Sequence, residues 1–148
     1  MGALLIVVQV AMAAIPNIEL VSLLIIVYTL KLGWRALYPI YVFVAAEILI
    51  YGLGLWTVNY LYVWLVLVGA ALLFKNKRSP VFWMLVSGVY GLFFGALCAI
   101  PYFFIGGPSA ALAYWVAGIP FDLLHCAGNA AIALLLFKPA MKGMEYVV

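Results

Sequence analysis

The chain has 148 residues, of which 71% are hydrophobic and 7% charged, with a mean hydropathy of +1.31. A soluble domain carries about 25% charged residues and about 45–50% apolar ones, so this composition excludes a water-soluble fold and predicts an all-α integral membrane protein of one domain. The net charge of +3 does not point to nucleic acid, because the seven basic residues fall in short clusters between apolar runs.

Six apolar segments are expected, in order. The first covers Ala3–Ile15 and is stopped by Pro16-Asn17. Its Ala11-Met12-Ala13 has the form of a signal-peptidase site, but no basic residue precedes the apolar run, which argues against a cleaved leader. The second covers Ile18–Leu32 and ends among Lys31, Gly33 and Arg35. The third covers Ala36–Leu55, with Glu47 well inside, and the fourth Tyr60–Phe74. The polar run Lys75-Asn76-Lys77-Arg78-Ser79-Pro80 separates the fourth from the fifth, Val81–Ile105, which Gly106-Gly107-Pro108 ends. The sixth begins between Ser109 and Tyr114 and runs to Phe137, closed by Lys138-Pro139. Its 24 residues from Tyr114 would span roughly 36 Å as a helix, enough for a hydrocarbon core of about 30 Å.

Six spans place all seven Lys and Arg residues on one face: Lys31 and Arg35, then Lys75, Lys77 and Arg78, then Lys138 and Lys142. By the positive-inside rule both termini are expected in the cytoplasm of a multi-pass cell-membrane protein. The opposite loops are aromatic and glycine-rich, with Trp56, Asn59 and Tyr60 in one and Tyr102, Phe103 and Phe104 in another. Aromatics above a polar interior suit a lid over a flat, partly apolar ligand. Ser87, Gly91, Gly95 and Ala99 recur every four residues and predict close packing against another helix of the same chain. Cys98 and Cys126 both lie in apolar segments and read as small buried side chains.

Few residues here carry chemistry. Asp122, His125 and Asn129 follow the spacing i, i+3, i+7 and share one face of the sixth helix. Asp122 and Glu47 fall at middle depth with no Lys or Arg at their level, so each needs hydrogen bonds, a proton or a polar cavity. Glu19 reads either as a helix-start acid favoured by the helix dipole or as part of a pocket mouth. Asp122 and His125 form half a possible metal site, with Glu47 or Asn129 to complete it, but one His with two carboxylates is a weak metal signal. No cofactor is expected. Two-histidine haem ligation is excluded by the single His, and no lysine lies at depth for a retinal Schiff base. No nucleophile sits beside a base, so no hydrolase is indicated, and no Walker sequence is present for ATP coupling.

Ala14–Ile25 (AIPNIELVSLLI), Tyr51–Trp64 (YGLGLWTVNYLYVW) and Gly118–Asn129 (GIPFDLLHCAGN), with the closing LLLFKP of Leu134–Pro139, resemble the S component of energy-coupling-factor (ECF) importers. The resemblance covers nearly the whole chain. It implies a prokaryotic non-enzymatic subunit that captures a vitamin or related micronutrient outside and works with a membrane scaffold subunit and two ATPase subunits. It also implies a pocket in the outer half, under the loops joining spans 1–2, 3–4 and 5–6. On that basis Glu47, Trp56, Asn59, Tyr60, Tyr102, Trp115, Asp122, His125 and Asn129 are the substrate-binding candidates. The family commonly places an A-x-x-x-A on span 1 against the scaffold. This chain has none, and only Gly2, Ala3 and Ala11 are left for that contact. Few charges and many aromatics favour a ring-rich ligand of cobalamin, flavin or pyridoxine type. Two other functions fit the same residues: a metal-dependent membrane enzyme using Glu47, Asp122 and His125, and a proton-coupled carrier using the buried acids.

Overall fold

A computed structural model describes residues 1–15 and 17–147. Among them the secondary structure is entirely helical: α1 (Gly2–Met12), α2 (Val21–Leu32), a 3-10 turn (Gly33–Ala36), α3 (Leu37–Tyr51), α4 (Leu55–Leu73), α5 (Pro80–Leu92), α6 (Phe94–Cys98) and α7 (Ile100–Met144). Three helical stretches are long and apolar enough to cross a membrane: Val21–Tyr51, Leu55–Leu73 and Ile100–Met144.

α2 is the hub. Val21, Ser22, Leu23 and the run Ile25–Thr29 are all buried, as expected of a helix apolar on every side. It packs against α1, α4 and α7, while α1 lies on α3. The contact between α1 and α3 is close at Gly2, where a Cβ would meet Val42 Cγ1 at 2.9 Å. Gly33, at φ +60°, turns the chain from α2 toward α3, a conformation that only glycine adopts readily. Ser79 starts α5: its Oγ accepts the Phe82 N–H at 3.4 Å, and Pro80 occupies the first helical position.

The structure departs from the expected segments in three places. The first helix ends at Met12 rather than Ile15. Five residues beyond that end, Asn17 takes φ +58°, a left-handed conformation that Asn tolerates better than most residues, and the chain turns there; Pro16, the expected stop, lies outside the described residues. The expected continuous fifth helix, Val81–Ile105, is instead interrupted at Phe93 and Ala99. Pro101 contributes to that irregularity. It has no N–H to offer Leu97 O, and the Tyr62 hydroxyl donates to that carbonyl instead, at 2.6 Å. Tyr62→Phe should therefore strand a carbonyl and cost about 1–3 kcal/mol. Thermal melting in detergent would show it, and a melting point equal to that of the unaltered chain would count against this account.

The third departure concerns α7. Its non-helical Gly107 (φ 77°, ψ −174°) divides the element into two arms. Tyr102 and Tyr114 stack across the break with centroids 4.1 Å apart, whereas twelve residues of straight helix would separate them by about 18 Å. The chain therefore doubles back at the expected Gly106-Gly107-Pro108 turn. The second arm does not close at Lys138-Pro139 but continues to Met144, with Pro120 and Pro139 inside the helix.

The small-residue stripe packs within the chain. A Cβ on Gly91 would meet His125 C and O at 2.8 Å, and one on Gly88, which lies beside the stripe, would meet Ala130 Cβ at 3.3 Å. α5 and the second arm of α7 thus approach to backbone contact. At one end of the bundle, Lys31, Arg78, Lys138 and Lys142 surround a common hollow with Glu145, and Lys31 Nζ lies 3.1 Å from Glu145 Oε1. Basic residues from the two connections and the tail segment, far apart in sequence, do collect at one end.

Candidate functional site

At the opposite end, the turn after α1 crosses the second arm of α7. Gly128 makes this crossing possible: a Cβ there would meet Ile18 Cγ1 at 3.1 Å and Asn17 O at 3.2 Å. The turn delivers Glu19 to the start of α2 and to His125 together. Glu19 Oε2 accepts the Ser22 N–H at 2.9 Å, and Glu19 Oε1 lies 3.3 Å from His125 Nε2. Both roles considered for Glu19 are thus filled by its two oxygens. The pair is largely shielded, with side-chain exposures of 15% for Glu19 and 6% for His125.

A cavity of about 160 Å³ opens here, lined by Gln9, Asn17, Glu19, Tyr60, Trp64, Phe94 and His125 among others. Its aromatic wall is continuous. Trp56 meets Tyr60 edge-on at 5.3 Å, Tyr60 meets Trp64 at 5.2 Å, and Phe94 meets the His125 imidazole at 4.9 Å. A second cavity of about 410 Å³ shares Asn17 and Phe94 with the first and is lined also by Cys98, Tyr114, Phe121 and Asp122.

Asp122 is held by the break at Phe93. The interruption leaves the first N–H groups of α6 without helical acceptors, and Asp122 Oδ1 takes the Gly95 N–H at 2.9 Å. Gly95 is required for this: a Cβ would lie 2.5 Å from Asp122 Oδ2 and 2.7 Å from Oδ1. Asp122 Oδ2 and His125 Nδ1 are both buried and have no hydrogen-bond partner among the described residues.

The expected site residues divide. Tyr60 and His125 line the first cavity, Trp56 backs Tyr60, and Asp122 lines the second. Asn129 lies one turn further along and lines neither; its Nδ2 donates to Ser87 O at 3.4 Å, joining α7 to α5. Asn59 is buried, with its Oδ1 3.0 Å from the Tyr62 hydroxyl. Tyr102 is stacked on Tyr114, and Trp115 borders a separate apolar hollow with Phe103, Phe104 and Leu112. Glu47 is buried on α3 with Oε1 unpaired and lines neither cavity. Among the described residues no three His, Cys, Asp or Glu side chains converge as a metal cluster would require. Of the residues considered for scaffold contact, Gly2 packs on α3, while Ala3 and Ala11 are exposed on α1.

Sequence reasoning missed Gln9, Asn17, Trp64 and Phe94. Gln9 carried a usable signal as the one amide in an otherwise apolar helix. Trp64 and Phe94 carried none, since aromatics in apolar runs read equally well as core or lipid contacts. No family model, curated protein or solved structure matches the chain.

Proposed function

We propose that this chain is the substrate-binding S component of an ECF-type importer, a six-span membrane protein with its basic end in the cytoplasm. The observation that carries the proposal is the partly open, aromatic-walled cavity with the Glu19–His125 pair at its edge, at the end of α2 opposite the basic cluster. With the basic end in the cytoplasm, a pocket on the far side of α2 is where a subunit that captures nutrients from outside needs it. On this reading the doubled-back α7 would be the fifth-to-sixth loop and the Asn17 turn the first.

The first cavity, about 160 Å³, is smaller than the roughly 300–1,000 Å³ of sites for drug-sized ligands. Among ring-rich micronutrients a single-ring compound suits it better than a cobalamin or a flavin. Stacking on Tyr60, Trp64 and Phe94 would orient the ring, and the buried polar atoms would select its substituents.

The test starts from the chain purified alone in mild detergent, with any retained small molecule identified by native mass spectrometry. Uptake of that compound into cells should require the scaffold and both ATPase subunits. Uptake without them, abolished by collapsing the proton gradient, would replace the importer with a self-sufficient carrier. Turnover of the compound dependent on a bound metal would replace it with an enzyme.

A further inference from the structure

The two cavities share a polarity that bears on the charge of their occupant. Neither is lined by a Lys or an Arg, whereas Glu19 borders one and Asp122 the other. The carboxylates are not equally satisfied. Glu19 meets both the Ser22 N–H and His125. Asp122, only 5% exposed, accepts a single backbone N–H, and its Oδ2 has no partner. A buried carboxylate so placed is costly unless a donor, a proton or a cation meets it.

His125 adds a second acceptor. When its Nε2–H donates to Glu19, the Nδ1 atom carries a lone pair, and that atom also lacks a partner. In that tautomer, and with Asp122 ionised, the two unpaired buried atoms are both acceptors, and donors on a ligand would satisfy them. The rings of Tyr60, Trp64 and Phe94 line the first cavity and those of Phe94 and Tyr114 the second. The face of an aromatic ring attracts organic cations.

We infer that the ligand is a small single-ring organic cation bearing N–H donors, its charged nitrogen against Asp122 and its ring on Phe94, which lines both cavities. The inference rests on the binding-subunit reading and names the ligand class for that cavity and the one adjoining it. A neutral ring would leave Asp122 Oδ2 without a countercharge, and an anion would meet two carboxylates and no Lys or Arg.

Three probes that differ only in charge test it: benzylamine, benzyl alcohol and benzoate at pH 7. Their binding to the purified chain is followed by tryptophan fluorescence, with empty micelles subtracted. Benzylammonium should bind at least about tenfold more tightly than benzyl alcohol, and benzoate should not saturate. Asp122→Asn should bring benzylammonium down to the level of the alcohol. Because Asp122 also holds Gly95, that variant risks misfolding, but the ranking on the unaltered chain stands without it. Equal or tighter binding of the alcohol or of benzoate would overturn the inference, as would the absence of saturable benzylammonium binding to a chain of intact helix content. The importer reading fails separately. Module-dependent uptake with a neutral or anionic preference removes only the ligand class; a cation preference with module-independent uptake removes only the importer.

Discussion

Gly91→Val should sharply destabilise the bundle and abolish ligand binding with it. A Cβ at this position would lie 2.8 Å from the carbonyl carbon and oxygen of His125 and 3.0 Å from Cys126 N. These are backbone atoms in mid-helix, so relief requires α5 and α7 to separate rather than one side chain to turn. Overpacking of this kind costs about 1–3 kcal/mol, and valine adds two further methyls to the clash. Gly88→Ala provides the graded control: its Cβ would meet the Ala130 methyl at 3.3 Å, which a few tenths of an ångström would relieve. Melting followed by size-exclusion chromatography in detergent should rank the unaltered chain first, G88A slightly below it and G91V far below. A G91V melting point matching G88A would mean that the two helices do not approach as closely as described.

The second large effect is expected at Glu19. Glu19→Ala removes the acceptor for the Ser22 N–H at the start of α2 and leaves buried His125 without its partner. Loss of a helix-start acceptor costs about 0.5–2 kcal/mol, and an unsatisfied buried polar group about 1–3 kcal/mol. Glu19→Gln separates the two contributions from charge. The amide oxygen can still accept from Ser22, so stability should largely return, whereas a charge-assisted contact with His125 cannot. Chemical denaturation of both variants would measure the split. Equal stability of E19A and the unaltered chain would show that the Asn17 turn holds α2 in place without this side chain.

Much of the helical layout was legible from apolar run lengths and breakers. Lys75–Pro80 and Gly106–Pro108 mark turns that the structure contains, because charge and φ > 0 are costly inside a helix buried in apolar surroundings. What failed were the local breaks. Phe93 and Ala99 look like any other residues of an apolar helix, and only Pro101 hinted at irregularity nearby. The face shared by Asp122, His125 and Asn129 followed from spacing alone. Their partners did not: a backbone N–H of Gly95, the carboxylate of Glu19 and the carbonyl of Ser87. Helical periodicity reveals which residues look the same way but says nothing of what the chain brings opposite them. Two of those partners are backbone groups, which every residue carries, so no side-chain pattern could have revealed them.

The basic end of the bundle also bears on how the chain would enter a bilayer. Its cations belong to separate connections, after α2, after α4 and near the end of α7, so each successive pair of helices carries its own anchor. Drawing one Lys or Arg through the bilayer centre costs at least about 2.5–3.5 kcal/mol, and each connection holds two or three of them. On the six-span reading, a helical pair that inserts with its connection on the cytoplasmic side would resist reversal. Orientation would then be set pair by pair, and the packing of α2 among its neighbours would have only to assemble helices that already point the right way.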